Sequence, residues 1–215
     1  TPCSTKWMYA TVNSFFVGFV STFIATALGT LAALGLSRPH MPYKALIMSI
    51  LISPMIVPLI ITAAGMFFFY ARFNLVYTFT GIILAHVALA TPFVVITVTA
   101  TLVGFDTNMT KASQSLGARP TRTFFKVIMP LILPGVISGA LFAFITSFDE
   151  VVIVMFMASL DQLTIPKQMW AGIRQEISPV ILCMATCLVV LSILLLTTVE
   201  VLRRRSERLR GISPR

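Results

Sequence analysis

The sequence predicts an all-α, polytopic integral membrane protein built as a bundle of helices that cross the bilayer. Of its 215 residues, 57% are hydrophobic and 11% are charged, whereas soluble domains average about 45–50% and about 25%. Mean hydropathy is +0.94. Five apolar runs are each long enough to cross roughly 30 Å of hydrocarbon. We expect one transmembrane domain over residues 1–215, with spans at about 12–36, 45–70, 75–103, 131–157 and 179–202.

The first two runs carry different helix signals. In the first, Ala25, Gly29 and Ala33 repeat every four residues, which allows another helix to approach closely. The second contains Pro54 and Pro58, and a proline removes a backbone hydrogen bond inside a helix. Such breaks at membrane depth are tolerated where protein or a water-filled cavity surrounds them. We therefore expect a kinked second helix that faces the bundle interior, with both prolines as candidates for a solute path.

Three side chains inside the apolar runs have two possible roles each. His86 in the third run suits either a hydrogen-bonded interior histidine or a proton relay. Cys183 and Cys187 lie one helical turn apart in the fifth run, where they either pack or share a metal. Because no histidine or acid accompanies the cysteines at ligand spacing, we expect no metal and no cofactor.

The segment 159–178 is predicted to lie at the membrane surface rather than to cross the membrane. Ile165, Met169 and Ile173 recur every four residues, with Lys167, Arg174 and Glu176 elsewhere around the turn. This pattern indicates a short amphipathic helix. Trp170 suits the headgroup level, where its ring meets both apolar and polar surroundings.

Basic residues are divided unevenly between the two sides of the predicted bundle. Because successive loops alternate sides, the 38–44 turn, the 104–130 loop and the C-terminal tail share one side. That side holds twelve of the sixteen Lys and Arg residues: Arg38, Lys44, Lys111, Arg119, Arg122, Lys126, Arg203, Arg204, Arg205, Arg208, Arg210 and Arg215. By the positive-inside rule this side is cytoplasmic. The N-terminus is then outside, which predicts that an earlier spanning helix precedes this chain.

The longest polar segment, about 106–130, is expected to form two short cytoplasmic helices with a break between them. Asp106 or Thr107 can cap the first, because a short oxygen side chain accepts from the free amides of a helix start. Gly117 can end it in the left-handed conformation, which a Cβ atom would penalise. Pro120 suits the first turn of the second helix, where no amide donor is needed.

This segment resembles the cytoplasmic loop of permease subunits of binding-protein-dependent ABC importers. That loop has a Glu-Ala-Ala start, a glycine and a proline at its end; here Lys111, Ala112, Ser113, Gly117 and Pro130 take these positions. Lys111 stands where the family usually has Glu, and Ser113 where it usually has Ala. The resemblance implies a type I importer permease fold and a short helix that docks on an ATPase subunit. The alternative is an ordinary basic loop beside a membrane helix.

The candidate coupling loop contains these residues: Lys111, Ala112, Ser113, Gly117, Ala118, Arg119, Pro120 and Pro130.

Asp149 and Glu150 form an acidic pair, which we place in the outer half of the predicted fourth span, near Thr146. Charges inside a span cost at least about 2.5–3.5 kcal/mol each at its centre, so they usually mark function. We expect the three residues to line the outer end of a solute path. The alternative is a pair at a helix end that reaches interfacial water. A strip of small residues that includes Gly135 and Gly139 precedes them, and it suits either tight packing or a path lining.

The stretch from Thr146 to Val152 is similar to the Ser-Phe-Asp-Asp-Val-Val stretch of spermidine/putrescine-type permeases, with Glu150 in place of the commoner Asp. Similarity extends over about 13–202 and includes Ser53-Pro54 with Ile56-Val57, Pro92 to Val95, and Leu102 to Asp106. It implies transport of a polyamine, putrescine or spermidine. Polyamines are polycations, so carboxylates along their path make electrostatic sense. Permeases for other small solutes share much of this pattern, so another solute is the alternative.

The resemblance also implies the partners of the chain. These are a second permease subunit, two cytosolic ATPase subunits and an extracytoplasmic solute-binding protein, assembled in the bacterial inner membrane and its lipid. The chain has no GxxxxGK[ST] phosphate loop, so ATP hydrolysis belongs to the separate subunits.

Three other kinds of function are less consistent with the sequence. Two distant histidines and the lack of an HExxH motif argue against a membrane enzyme. An ion-coupled carrier would favour an inverted repeat and several intramembrane charges. The net charge of +9 follows membrane orientation rather than nucleic-acid binding, so we expect no nucleic-acid partner.

Overall fold

Long apolar helices dominate the computed structural model, which describes residues 2–38, 40–103, 107–175 and 179–209. A π-helical turn occupies Phe124–Ile128, and a 3-10 turn occupies Leu160–Gln162. The α-helices within the described residues are α1 (Pro2–Leu36), α2 (Lys44–Ile56), α3 (Leu59–Ala71), α4 (Phe79–Val103), α5 (Thr107–Ser115), α6 (Pro120–Thr123), α7 (Met129–Phe148), α8 (Val152–Met157), α9 (Ile165–Gln175) and α10 (Pro179–Leu209).

Helices α1 and α4 run parallel. Ser21 Oγ lies 3.5 Å from the carbonyl oxygen of Ile83, and further along both helices Gly29 lies against Val94. The chain must therefore return across the bundle between α1 and α4, and α2 with α3 makes that return. Within the described ranges, four helical segments are long and apolar enough to cross a membrane, and α2 with α3 makes a fifth when it is taken as one span. The five predicted spans are present in this sense.

The small residues of α1 pack as predicted. Ala25 and Ala33 have no exposed surface, and Gly29 between them contacts Val94 of α4. The repeat of four places all three on one helix face. The close approach that the sequence predicted for this helix is therefore confirmed.

Helices α4 and α7 approach each other even more closely. A Cβ atom on Gly139 would lie 2.5 Å from Thr97 Oγ1 and 3.0 Å from Val94 Cα, so a larger residue would push the helices apart. Gly135 and Ala143 lie on the same buried face of α7. Of the two roles open to this strip of small residues, the structure shows packing between helices.

The second run is bent by 105° between α2 and α3. Val57 is extended, as expected for the residue before a proline, and Pro58 then precedes α3, whereas Pro54 lies inside α2. The kink is confirmed, but its predicted position in the bundle interior is corrected. Over the described residues 44–56, none is buried within this chain, because α2 packs only lightly on its neighbours.

The fourth apolar helix is displaced from its predicted range of about 131–157. A helical run that is apolar enough to span the membrane extends over Pro120–Phe148. It ends at Phe148, and a separate short helix follows, whose first turn donates the Ile153 N–H to the Glu150 side chain. The acidic pair therefore follows the end of this helix. The sequence had suggested a position within the outer half of the span, and that position is corrected.

The π-helical turn at Phe124–Ile128 has a local cause. The N–H of Met129 donates to the Phe124 carbonyl, five residues back. The next residue, Pro130, has no N–H to donate, so the regular helical pattern is interrupted here and one turn widens.

Candidate coupling loop and candidate solute path

The first helix of the candidate coupling loop ends as the sequence predicted. Gly117 has a φ of 77°, and its N–H donates to the Gln114 carbonyl at 2.9 Å while the Ala118 N–H donates to the Ser113 carbonyl at 3.1 Å. This pair of hydrogen bonds forms a Schellman turn, which glycine adopts without steric cost. The start is not settled in the same way, because Asp106 lies outside the described residues.

The second helix of the loop is tied to the first. Pro120 occupies its first turn, as predicted, and Arg119 precedes it in an extended conformation. Ser113 Oγ lies 3.0 Å from Thr123 Oγ1, and Thr123 is buried. The serine that replaces the usual alanine therefore joins α5 to α6, a role that nothing in the spacing had indicated.

Of the residues assigned to this loop, seven come together and one does not. Those from Lys111 to Pro120 lie on α5, on the turn after it and at the start of α6. Pro130 lies instead inside the long helical run Pro120–Phe148, beyond the π-helical turn. The compact part of the loop is therefore shorter than the predicted range of 106–130.

An open groove of about 590 Å³ runs along this loop. Met109, Ala112 and Leu116 line its apolar part, and Arg122 and Lys126 line it with positive charge. The Leu116 side chain is 88% exposed at the end of α5. The sequence has no acidic residue between 107 and 130. An exposed leucine beside clustered basic side chains suits a partner that has an apolar cleft and negative charge.

The acidic pair is divided between two environments at the opposite end of α7. Asp149 is exposed, whereas Glu150 retains only 7% of its exposure. Glu150 Oε1 accepts the N–H of Ile153 at 2.6 Å. Thr146 is half-buried one turn earlier. The pair therefore offers one accessible carboxyl, that of Asp149, and one carboxyl that is already hydrogen-bonded to the backbone, that of Glu150.

Lys167 holds the other end of α8. Its Nζ donates to the Ala158 carbonyl at 2.9 Å and to the Val154 carbonyl at 3.2 Å. Burial lowers the pKa of Lys167, because desolvation disfavours the charged ammonium. The two carbonyls offset part of that cost, since hydrogen bonds that involve a charged group are stronger than neutral ones. Sequence reasoning gave Lys167 no such role.

The start of α1 is joined to the same region. Asn13 Nδ2 donates to the carbonyls of Asp161 and Leu163, both at 3.1 Å. Ser14 Oγ accepts the N–H of Ile165 at 2.8 Å. Sequence reasoning passed over both side chains; the one available signal was a pair of adjacent polar residues at the start of an otherwise apolar run.

The link before α4 completes this network. The Tyr77 N–H donates to the Met157 carbonyl at 2.9 Å, and Gln162 Nε2 donates to the Tyr77 carbonyl at 3.0 Å. Gln162 Oε1 in turn accepts the Ser159 N–H at 3.1 Å. We call residues 149–167 the outer segment; hydrogen bonds to α1 and to the link before α4 hold it in place.

The prolines of the second run lie on other elements than the acidic pair. Pro58 precedes α3, a helix of 13 residues and so roughly 20 Å long. It is α3 that packs against α8, through contacts that include the rings of Phe67 and Phe156 at 6.5 Å. Pro54 is further away along the chain, inside α2. The predicted path residues therefore belong to different elements: the prolines to α2 and the start of α3, and the acidic pair to the link between α7 and α8.

His86 is an interior histidine, as one of its two predicted roles required. Its Nδ1 lies 2.8 Å from Ser147 Oγ, and the ring is buried. Within the described part of the chain no hydrogen-bond partner is found for Nε2, and no group of three metal-binding side chains occurs. Cys183 and Cys187 are exposed on α10, so the packing expected for them does not occur inside this chain.

The predicted amphipathic helix is present as α9. Ile165 is buried against Phe144 and Phe148, whereas Ile173 is exposed. Trp170 is partly exposed, and the guanidinium of Arg174 lies 5.7 Å from its ring centre. The position of α9 at a membrane surface stays a prediction.

Three comparisons with known proteins agree with this architecture. The family described as "Binding-protein-dependent transport system inner membrane component" matches residues 25–208. The spermidine/putrescine transport system permease protein PotC of Haemophilus influenzae is 29% identical over 198 residues, which cover 92% of this chain and 77% of that protein. PotC of Escherichia coli K12 is 28% identical over 211 residues, which cover 94% and 80%.

A solved structure has the same fold. It is an inward-facing conformation of the MetNI methionine ABC transporter, with a TM-score of 0.67 and 20% identity over 100% of this chain and 99% of that chain. At this identity the likeness concerns the fold alone. It confirms the predicted all-α bundle of an importer permease.

Proposed function

Because this chain belongs to the family of binding-protein-dependent transport system inner membrane components, we propose that it carries a polyamine, putrescine or spermidine, across the bacterial inner membrane. Membership of this family makes it a transport subunit of an ABC importer and not an enzyme. The similarity to two PotC proteins over nine-tenths of the chain carries the choice of solute. An exposed carboxyl at Asp149 suits a polycation.

The chain works with a second permease subunit, two cytosolic ATPase subunits and an extracytoplasmic binding protein. The open basic groove of the coupling loop supports an ATPase partner. Over the described residues 44–56, α2 is unburied within this chain and exposes Leu46, Ile50 and Ile56. Apolar surface of this kind suits a second permease as its neighbour.

The coupling loop and the C-terminus face the cytoplasm, and the outer segment faces outside. Twelve of sixteen basic residues support this orientation. Single-cysteine labelling of intact cells with an impermeant maleimide tests it. We expect Leu160→Cys to react at once and Arg208→Cys only after the cells are permeabilised. The reverse order would overturn the orientation.

Uptake into proteoliposomes tests the solute. The assembled transporter is supplied with its binding protein and ATP, and uptake of radiolabelled putrescine and spermidine is measured per complex. We expect Asp149→Asn to lower uptake several-fold, and the deficit to shrink at higher salt because screening weakens an exposed charge.

The matched control is Asp161→Asn, which removes a second exposed acid of the outer segment and should leave uptake unchanged. Equal uptake by Asp149→Asn and the wild type would remove Asp149 from the path. ATP-dependent uptake of a different solute, without polyamine uptake, would favour a permease of the same kind with another substrate.

A further inference from the structure

We propose that Glu150 and Lys167 are positioning residues that together hold α8 folded against the bundle, so that Asp149 is the one acid of the pair presented to a solute. The link to transport rests on the proposed function. The positioning itself does not, because it concerns contacts within this chain.

The start of α8 is held by a buried carboxylate. Glu150 Oε1 accepts the Ile153 N–H at 2.6 Å, and Glu150 is only 7% exposed. A negative charge at a helix N-terminus is stabilised by the free amides and the helix dipole. A carboxylate used in this way is turned towards the backbone and away from any passing cation.

The end of α8 is held by a cation from a different helix. Lys167 on α9 donates to the carbonyls of Val154 and Ala158, which belong to the last turn of α8 and the residue after it. A positive charge at a helix C-terminus is favourable for the same electrostatic reason. The two ends of α8 thus carry opposite charges, each of the sign that the helix dipole prefers.

Helix α8 depends on these charged side chains because its own six residues stabilise it little. It spans Val152–Met157, six apolar residues without a polar side chain, and a helix this short is not stable alone. Ile153, Val154 and Met157 are buried against the bundle. Apolar contact is not directional, so hydrogen bonds at its two ends orient α8: the side-chain bonds of Glu150 and Lys167, and the bond from the Tyr77 N–H to the Met157 carbonyl.

The position of α8 determines the position of Asp149. The carboxyl of Asp149 lies in the two-residue break between the end of α7 and Val151, where α8 is capped. If α8 moves, this break moves with it. Lys167 therefore acts on Asp149 through α8, although the two residues lie on different elements.

Cysteine labelling of α8 tests the positioning. The assembled transporter in nanodiscs carries Val154→Cys as its only cysteine, at a site with no exposed surface, and its reaction with a soluble maleimide is timed. Four variants are compared in matched pairs: Glu150→Met with Glu150→Gln, and Lys167→Met with Lys167→Arg. Methionine keeps the length but removes the acceptor or the donors, whereas Gln and Arg keep them.

We expect both methionine variants to raise the labelling rate about tenfold or more, because each loses hydrogen bonds to a charged group. Lys167→Arg, which keeps both the donors and the charge, should stay close to the wild type, and Glu150→Gln, which keeps the acceptor oxygen but loses the charge, should rise far less than Glu150→Met. The double methionine variant should rise by less than the product of the single effects, since both residues hold one helix. Unchanged labelling in either methionine variant would overturn the proposal.

Two further reporters show whether a change is local. Ala143→Cys on α7 is buried and should stay unreactive in every variant, and Leu160→Cys is 85% exposed and should always react. A rise at Ala143→Cys together with Val154→Cys would mean general loosening and would also count against the proposal.

Uptake separates this proposal from the choice of solute. Labelling needs no transported solute, so its result stands whichever solute the complex carries. In the proteoliposome uptake assay, with whichever solute the complex transports, Glu150→Gln should resemble the wild type while Asp149→Asn is impaired. Equal impairment of the two would place Glu150 in the path and overturn its assignment as a positioning residue.

Discussion

The coupling loop and the outer segment lie at opposite ends of α7 and are built in opposite ways. Between α5 and α6 the loop has the Ser113–Thr123 contact, and it exposes Leu116 beside an open groove. The outer segment carries side-chain hydrogen bonds from α1, from α9 and to the link before α4. Its acid Glu150 and its cation Lys167 are both used inside the chain.

This difference separates a surface that is left open from one whose hydrogen bonds are completed within the chain. Exposed apolar and basic side chains gain most of their stabilisation when a partner covers them. Removing a hydrogen-bond partner from a buried charged group substantially lowers the stability of the folded chain. Substitutions in the loop should therefore affect coupling more than stability, and substitutions in the outer segment should do the reverse.

The largest effect is expected at Gly117. Gly117→Val places a branched side chain at a φ of 77°, where a Cβ costs roughly 1–2 kcal/mol, and it disrupts the turn after α5. We expect uptake per ATP hydrolysed to fall about tenfold or more, with normal abundance in the membrane. Uptake and ATP hydrolysis by reconstituted complexes measure this.

Gly35→Val is the control for that change, because a Cβ atom at Gly35 meets nothing within 4 Å. Its coupling should stay normal. Normal coupling in Gly117→Val as well would mean that the loop does not transmit ATP hydrolysis, and the comparison between the two ends would fail.

A change in stability is expected at Asn13. Asn13→Ala removes the donors to the Asp161 and Leu163 carbonyls, which should cost about 1–3 kcal/mol. The thermal midpoint of the purified complex should fall by several degrees, whereas coupling at low temperature should persist. Thr11→Ala is the control, since Thr11 bonds only to the Trp7 carbonyl of its own helix. An unchanged midpoint for Asn13→Ala would show that the outer segment does not depend on α1.

The smallest effect is expected at Ser113. Ser113→Ala restores the residue usual in the family loop and removes the contact with Thr123, at about 0.5–1.5 kcal/mol. Affinity of the permease for its ATPase should weaken by a few-fold, measured by titration of the ATPase onto the complex. Ser115→Ala loses a bond within α5 alone and should bind normally. Tighter binding by Ser113→Ala would contradict the role given to this serine.

Local signals in the sequence were sufficient for most of the fold. Apolar length predicts a span because hydrocarbon thickness sets it; over the described residues four helical segments are long and apolar enough, and α2 with α3 makes a fifth when taken as one span. Gly117 and Pro120 took the positions expected of them, because their backbone preferences are intrinsic. The fourth helical run ends earlier than the predicted span, at Phe148, since hydropathy does not show that Glu150 turns its carboxyl to the Ile153 N–H and that a separate helix begins there.

What the sequence determined by itself was the bundle of apolar helices, the loop with its glycine turn and the family. Only the tertiary structure decided that Asp149 is exposed while Glu150 bonds to the first turn of α8, and that Lys167 and Asn13 hold the outer segment. For Asn13 the physical reason is distance along the chain, and for Glu150 and Lys167 it is that their burial depends on what packs around α8. Asn13 meets Leu163 across 150 residues, and hydrogen bonds between such distant groups leave no periodic pattern in the sequence.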